Sequence, residues 1–349
     1  MNRTISSRVM RAVSLFLTVV MLFTALTACS EPTTDESGKE DSDSAAAAQH
    51  TVTFKCNNGT STTLIANHGA PSPMPQNPTK PNHTFNGWYV DESCRILYNV
   101  YAPVESDLTL YAGYTVDKNA VINTVARETI RGMVTVTATS YNKFLFWETD
   151  KTSSQGSGVI IKLTSSGRAY LLTNCHVAET ESGRDHVRYK IEDSHGNTYD
   201  AKMHVEGVTG TRSINAEYDL ALLYFDGASS ELHRPINIAE KNARIGEEVV
   251  CLGTPKGQAN TFTIGSVTAY QSIALKDTPA YKSNVTFPVI KHTAYSNNGS
   301  SGGALLNLDL ELVGIHYAAG KNDNGEYICG YAVPIEKVIE FINSTCLAV

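Results

Sequence analysis

A glycine-rich turn in this sequence surrounds a serine that could act as a nucleophile. The turn runs Asn298-Gly-Ser-Ser-Gly-Gly-Ala-Leu305, with Ser301 near its centre. A serine hydroxyl is a weak nucleophile, so it needs a base to take its proton and donors to stabilise an oxyanion. Glycines on both sides allow a tight backbone conformation in which two N–H groups converge beside the hydroxyl. The turn therefore predicts the nucleophile and the donors of an acyl-transfer site.

Two further residues could supply the base and the group that orients it. His176 follows an apolar run that begins at Leu171, and Asp219 opens a run that ends at Leu223. The chain order histidine, aspartate, serine, with this spacing, is that of a trypsin-like triad. Taken singly, the histidine could be a core residue and the aspartate a cap, but the three together favour catalysis. Cys175 is rejected as a nucleophile because neighbouring strand residues point to opposite faces.

Seven motifs occur in the order found in HtrA/Deg-type serine proteases, and the sequence resembles that family from Asp117 to its end. The motifs are Gly156-Ser-Gly-Val-Ile160, Thr173-Asn-Cys-His-Val177, Asp219-Leu-Ala-Leu222, Gly253-Thr-Pro-Lys-Gly257, Thr263-Ile-Gly-Ser-Val267, Gly299-Ser-Ser-Gly-Gly303 and Gly330-Tyr-Ala-Val-Pro334. The resemblance implies a serine endopeptidase that cleaves protein or peptide substrates through an acyl-enzyme. It implies no metal and no cofactor.

The resemblance also assigns the catalytic roles. It implies that Ser301 is the acylating nucleophile, that His176 is the general base, and that Asp219 holds the imidazole tautomer. The N–H groups of Gly299 and Ser301 are implied to form the oxyanion hole. The sequence departs from the family in two respects. Ser300 stands where asparagine is usual, and no PDZ domain is expected after the last predicted helix. The oligomeric state is left open.

The substrate pocket is expected between residues 294–298, residues 314–320 and the strand that starts at Gly330. The side chains predicted to contact substrate are Tyr295, Ser296, His316 and Tyr317.

Two preferences remain open for this pocket. HtrA proteases usually accept small aliphatic residues there. Yet Gly314-Ile-His-Tyr317 is also similar to the bacterial glutamyl endopeptidases, whose histidine at this position binds a glutamate side chain. His316, with Ser296, could therefore donate hydrogen bonds to a carboxylate, or it could be a shielded histidine that supports the barrel interface. His292 matches no motif, and we expect a surface or structural role for it.

Short alternating runs split by Gly, Asn and Asp dominate the chain after Asp117, for example residues 133–138 and 158–161. Such evenly spaced strands favour an all-β sandwich or a pair of barrels. The resemblance implies two antiparallel β-barrels of the trypsin-like fold, with the site in the cleft between them. Proline at 334 and apolar residues at helical spacing up to Ile342 predict a closing C-terminal helix. Residues 117–349 are accordingly predicted to form the protease domain.

Residues 51–116 are predicted to form a separate β module. Two alternating runs flank a proline-rich stretch and the segment Phe85-Asn-Gly-Trp-Tyr89. This order resembles the internalin-B-type B-repeat, a small β-grasp-like module that serves as a spacer or adhesion element. Core packing is favoured over ligand stacking for Trp88 and Tyr89. An alternative function follows, namely a surface adhesin whose protease fold is a catalytically silent scaffold.

Residues 1–29 are predicted to be an export signal. Three arginines precede an apolar run that is too short for a confident permanent span, and Leu26-Thr-Ala-Cys29 resembles the lipobox of bacterial lipoproteins. Lipidation at Cys29 would anchor the protein to the outer face of the cell membrane. An ordinary cleaved signal with a chance cysteine is the alternative. Residues 30–50 are acidic and serine-rich and are predicted to form a disordered linker.

Composition limits the partners and the metal chemistry. The formal net charge is −7 and no Lys/Arg cluster is present, so nucleic acid is excluded as a partner. Seven cysteines include Cys29, which leaves six that could form disulfides in an exported chain or remain thiols. Cys56 and Cys94 could pair. No Cys/His spacing suggests zinc.

Overall fold

The computed structural model describes residues 48–206, 211–253, 261–273, 284–296 and 299–348. The predicted signal, Cys29 and the linker up to residue 47 lie outside the described residues, as do Asn297 and Asn298 of the predicted pocket. Every described residue belongs to one compact unit that runs from Ala48 to Val349. Within the described ranges, no helix has the length and apolarity needed to span a bilayer.

The first four strands form a small sheet in the order β2-β1-β4-β3, in which β1 and β4 are parallel. Their bounds are β1 Gln49–Lys55, β2 Ser61–Asn67, β3 His83–Tyr89 and β4 Leu108–Val116. Trp88 is buried and packs edge-on against Phe54 at a ring distance of 4.8 Å and against Phe85 at 5.4 Å. Trp88 therefore packs in the core of this sheet, as the sequence analysis favoured.

A closed barrel follows, in the order β13-β7-β6-β5-β8-β9, and pairing of β9 with β13 completes it. The strands from β5 to β13 are β5 Met133–Phe144, β6 Trp147–Leu163, β7 Arg168–Thr173, β8 His186–Asp193, β9 Thr198–Met203, β10 Val205–Glu206, β11 Thr211–Arg212, β12 Ile214–Asn215 and β13 Leu220–Asp226. The short β12 extends this sheet beside β13, while β10 and β11 pair with each other.

A second closed barrel has the order β14-β15-β16-β19-β18-β17. Its strands are β14 Glu248–Gly253, β15 Thr261–Gln271, β16 Val289–His292, β17 Ala304–Leu306, β18 Leu312–Lys321 and β19 Tyr327–Pro334. All pairings within it are antiparallel. The predicted pair of antiparallel barrels is confirmed.

In the ranges that the structure describes, three α-helices and one 3₁₀ turn accompany the strands. They are α1 Lys118–Arg127, the 3₁₀ turn Thr129–Gly132, α2 Cys175–Ala178 and α3 Ile335–Ser344. The Asp117 side chain caps α1 by accepting from the N–H groups of Asn119 and Ala120. Pro334 is the N-cap residue of α3, which confirms the predicted closing helix.

The largest apolar cluster lies between the barrels and the helices. Strand residues on one side point into a barrel and those on the other side point into this shared core. Leu171 thus packs inside the first barrel while Leu172 faces the shared core, where Leu252 from the second barrel and Phe341 from α3 also pack. Because both faces of these strands are buried, their sequences read as continuous apolar runs rather than alternating ones.

The β module contacts the protease part of the chain through polar groups. The Asn82 carbonyl accepts from the Asp117 N–H at 2.8 Å, and the Asn82 side chain accepts from the Thr124 hydroxyl at 2.7 Å. Lys80 forms an ion pair with Asp309 at 2.9 Å. The predicted boundary after residue 116 falls between β4 and α1.

Cys56, Cys94, Cys251 and Cys329 are free thiols, so Cys56 and Cys94 do not form the disulfide that the sequence analysis allowed.

Candidate active site

His176 and Asp219 meet where two paired strands of the first barrel reach the same end. Thr173, the last residue of β7, pairs with Ala221 near the start of β13. The chain turns into α2 after β7, which carries His176, while Asp219 immediately precedes β13. Strand pairing therefore brings together two residues that are far apart in sequence.

The Asp219 carboxylate holds both the ring and the backbone of His176. The ring Nδ1 lies 2.9 Å from Oδ2 and 3.2 Å from Oδ1, and the His176 backbone N–H donates to Oδ1 at 3.1 Å. Asn174 donates from its side-chain nitrogen to the Asp219 carbonyl at 2.9 Å. The Asp219 backbone has φ = 51°, a left-handed conformation that aspartate and asparagine tolerate better than most residues. Asp219 is fully buried, so the carboxylate is fixed in position.

The Ser301 turn is tied to both barrels. The Ser157 N–H on β6 donates to the Ser301 carbonyl at 2.7 Å, and the Ser157 hydroxyl donates to the Gly299 carbonyl at 2.8 Å. From the second barrel, the His316 carbonyl accepts from the Gly302 N–H at 2.8 Å. Gly302 has φ = +83°, and a Cβ there would collide with the Ser157 carbonyl oxygen. The turn conformation thus requires glycine at 302.

Ser301 lies close to the segment that follows His176. A Cβ on Gly156 would be 2.8 Å from the Ser301 carbonyl oxygen and 2.7 Å from the Val177 side chain. The Ser301 turn and the Val177 side chain therefore both pack against this glycine. The Ser301 hydroxyl is 3.5 Å from the Tyr317 carbonyl. Within the described residues, the N–H groups of Gly299 and Ser301 make no hydrogen bond. The turn therefore presents a hydroxyl and two adjacent backbone donors.

The four predicted pocket residues differ in exposure. Tyr295 is half exposed and packs edge-on against Tyr327 at 4.9 Å, while Ser296 is buried. Tyr317 is buried, and burial, together with the nearby Asp219, raises its phenol pKa. The Tyr317 backbone borders the nucleophile, whereas its ring lies in the core.

His316 is 2% exposed and contacts a second buried histidine. Its Nδ1 lies 3.3 Å from Nε2 of His292, and the two rings meet edge to face. Burial, reinforced by His292 and His176, lowers the pKa of His316, and burial lowers that of His292 to about 4. Both imidazoles are therefore neutral at pH 7. The sequence left a surface role and a structural role open for His292. Its position in the barrel interior favours the structural role.

Sequence reasoning missed a cluster around these two histidines. One ligand atom each from Cys251, His292 and His316 lies within 4.8 Å of the other two, and all three residues are buried. Burial raises the pKa of the Cys251 thiol to about 12. The three residues come from β14, β16 and β18, so no local spacing in the sequence could have revealed them. Among the described residues, these are the ones that could hold a metal ion.

Comparisons with known proteins match two parts of this chain. Residues 156–315 match the trypsin-like peptidase domain, and residues 50–113 match the Listeria-Bacteroides repeat domain. The first match runs from β6 to β18, across both of the barrels described above. The second confirms the repeat module that the sequence resembled.

The similar curated proteins are HtrA- and Do-type serine proteases, which confirms the resemblance to that family. The chain is 33% identical over 192 residues to the serine protease Do-like HtrA of Bacillus subtilis, covering 54% of this chain and 38% of that protein. It is 33% identical over 184 residues to the periplasmic serine endoprotease DegP of Salmonella typhimurium, covering 52% and 34%. The matched region thus spans little more than a third of these relatives.

Among solved structures, the chain is similar to the active form of the Rv3671c protease from M. tuberculosis. The two share 21% sequence identity with a TM-score of 0.48, over 66% of this chain and 87% of that one.

Proposed function

We propose that this chain is an exported serine endopeptidase that hydrolyses protein substrates through an acyl-enzyme. The observation that carries the proposal is the buried Asp219 carboxylate bonded to the His176 ring at 2.9 Å, beside a glycine turn that carries Ser301. The relatives are serine proteases, in several cases periplasmic ones, which supports the same activity and export.

In the proposed mechanism, the Ser301 hydroxyl attacks the scissile carbonyl while His176 takes its proton through Nε2. Asp219 keeps the Nδ1–H tautomer, because its carboxylate only accepts hydrogen bonds, and it stabilises the imidazolium that forms. The N–H groups of Gly299 and Ser301 donate to the oxyanion. His176 then protonates the leaving amine, and water releases the acyl group by the same steps.

A serine-reactive fluorophosphonate probe tests this proposal. We expect the wild type to be labelled and Ser301→Ala to be unlabelled. Ser300→Ala is the matched control, because the neighbouring hydroxyl is buried, and it should be labelled like the wild type. If the wild type and the Ser300 variant stay unlabelled while both are folded, the chain is a silent scaffold, and the adhesin alternative stands instead.

Tyr295, Ser296, His316 and Tyr317 are proposed as the pocket residues, and peptide cleavage tests their preference. His316 is neutral and buried, so it can offer a carboxylate at most one N–H donor and no positive charge. Matched peptides with Glu, Val or Phe before the scissile bond should therefore favour Val. A higher kcat/KM for Glu would establish the carboxylate-binding pocket.

The lipid anchor at Cys29 is part of the proposal and has its own test. Export with residues 30–50 as a tether and residues 51–116 as a spacer would hold the protease near the membrane surface. Growth with a clickable fatty acid should label the wild type and Cys94→Ser but not Cys29→Ser. Equal labelling of Cys29→Ser and the wild type would place the acyl group elsewhere.

A further inference from the structure

Three potential metal ligands lie inside the second barrel, each on a different strand. Cys251 shares the interior face of β14 with Val249, and His292 shares that of β16 with Ile290. His316 reaches them from β18, and the three ligand atoms lie within 4.8 Å of one another. The strand pairings fix the backbone at each position, so the cluster is built into the barrel rather than into a mobile loop.

The surroundings of these residues are apolar. The neighbouring cluster consists of small and aliphatic side chains, among them Ala294, Leu305 and Ala332. Imidazoles buried in such a place lose their hydration and need partners in exchange. Here the two rings bond to each other at 3.3 Å, and within the described residues the Nδ1 of His292 has no hydrogen-bond partner. The His292 ring therefore lacks a partner that its burial calls for.

We propose that Cys251, His292 and His316 form a binding site for a borderline transition-metal ion, with Zn²⁺ as the representative. Thiolate and neutral imidazole are the ligands that zinc prefers. The 3.3 Å between the two ring nitrogens equals the edge of a tetrahedron with metal–nitrogen bonds of about 2.0–2.1 Å.

The proton balance of binding is simple. The Cys251 S–H bond breaks, a sulfur–metal bond forms and the proton leaves to solvent. The hydrogen bond between His292 Nε2 and His316 Nδ1 places one N–H between the two nitrogens that would bind the metal. On binding, that ring releases this proton to solvent and takes up one at its other nitrogen. Each imidazole is then neutral with its N–H on the nitrogen that does not bind the metal, and two nitrogen–metal bonds replace the hydrogen bond between the rings. A tetrahedral ion would then carry three protein ligands and one position for water or another small donor.

Metal binding at this place would act on the proposed active site. The His316 carbonyl accepts from the Gly302 N–H at 2.8 Å, next to Ser301, so a ring drawn toward the metal pulls on the nucleophile turn. This consequence rests on the proposed serine protease function, whereas metal binding itself does not. Zinc should therefore lower the rate at which Ser301 is labelled.

The test titrates the full chain with Co²⁺, which reports a thiolate ligand through a charge-transfer absorption band. We expect one Co²⁺ per chain with this band, displaced by Zn²⁺. Cys251→Ser and Cys251→Ala should lose the band and bind metal about 100-fold more weakly or worse. Cys329→Ala is the matched control, because Cys329 is equally buried in the same barrel but outside the cluster, and it should keep the band. Thermal melting checks the fold of each variant.

The site is disproved if the folded wild type shows no thiolate–cobalt band, or if the Cys251 variants bind as tightly as the Cys329 variant. Two readings separate this failure from failure of the proposed function. Fluorophosphonate labelling in a chelator reports the triad without metal, and the cobalt spectrum reports the site without activity. If the band is present but zinc leaves the labelling rate unchanged, the coupling to Ser301 is disproved.

Discussion

Replacing Asp219 with asparagine tests how the proposed base is held. The carboxylate uses both oxygens on His176, because Oδ1 accepts from the backbone N–H at 3.1 Å and Oδ2 accepts from the ring at 2.9 Å. An asparagine has one oxygen and one NH₂ group for these two donors. Since asparagine also tolerates the left-handed φ of 51°, the backbone should survive the change.

Either orientation of the new amide loses one of the two hydrogen bonds to His176. If its oxygen stays on the backbone N–H, its NH₂ group faces Nδ1 and forces the ring into the Nε2–H tautomer, which cannot take a proton from Ser301. If its oxygen stays on the ring, its NH₂ group faces the backbone N–H about 3 Å away with no acceptor between them. A triad with the wrong tautomer loses about 10,000-fold in kcat, equal to about 5 kcal/mol of transition-state stabilisation.

The assay is hydrolysis of a peptide substrate at pH 7 by wild type and Asp219→Asn, with Ser301→Ala as the inactive baseline. Glu217→Gln is the control, since it removes an exposed negative charge from the same loop. It should keep wild-type activity. If Asp219→Asn stays within tenfold of the wild type while Ser301→Ala is inactive, the orientation argument is refuted.

Three further substitutions test which residues stabilise the protease part of the chain. Gly302→Ala should destabilise the fold by several kcal/mol and abolish labelling, whereas Gly325→Ala, with a similar positive φ but open surroundings, should cost only about 1–2 kcal/mol in a denaturant titration. For Asp193, burial raises the pKa but several hydrogen bonds, notably from Asn197, outweigh it and lower the pKa overall. The ionised Asp193 therefore stabilises the fold above the unfolded-state pKa, and this contribution is lost as the pH falls through the lower folded-state pKa. Asp193→Asn should accordingly cost about 1–3 kcal/mol at pH 7 and much less near pH 2, measured by urea unfolding. Asp117→Ala removes the cap of α1 and should lower stability by about 1 kcal/mol in thermal melting.

The fold class could be read from the sequence because its strands are short, numerous and separated by turn residues. The closing helix was also predictable, since Pro334 and the apolar spacing after it both indicate a helix start. The closure of the first barrel was harder to predict from the sequence alone. The pairing of β9 with β13 joins strands that the β10–β12 segment separates, and no local pattern specifies that partner.

The candidate triad could be proposed from the sequence because two of its members lie next to apolar strands and the third lies in a glycine-rich turn. His176 follows β7 and Asp219 precedes β13, so their apolar strands mark the positions even though the contact itself is tertiary. The cluster of Cys251, His292 and His316 shows the opposite case. Its members lie within or at the end of strands, where an inward-pointing polar residue looks like any other position until the barrel is closed.

The burial of His316 against His292 could not be predicted from the sequence either. The Gly314–Tyr317 motif placed His316 near the pocket, but the ring contact with His292 depends on the pairing of β16 with β19 and of β19 with β18. Gly330 on β19 has no side chain, and a Cβ there would overlap the His292 ring. A glycine in the intervening strand therefore makes room for the histidine pair.

The position of Ser301 is set by packing between the barrels more than by its own turn. Glycines permit the turn conformation, but three hydrogen bonds select it, two from Ser157 on the first barrel and one to His316 on the second. This explains why a glycine-rich serine turn is weak evidence for catalysis when it stands alone. Its chemistry depends on a strand from the other barrel that carries Gly156 and Ser157 into contact with it. The same dependence makes the nucleophile sensitive to anything that moves His316, because that residue anchors the turn and also faces the barrel interior.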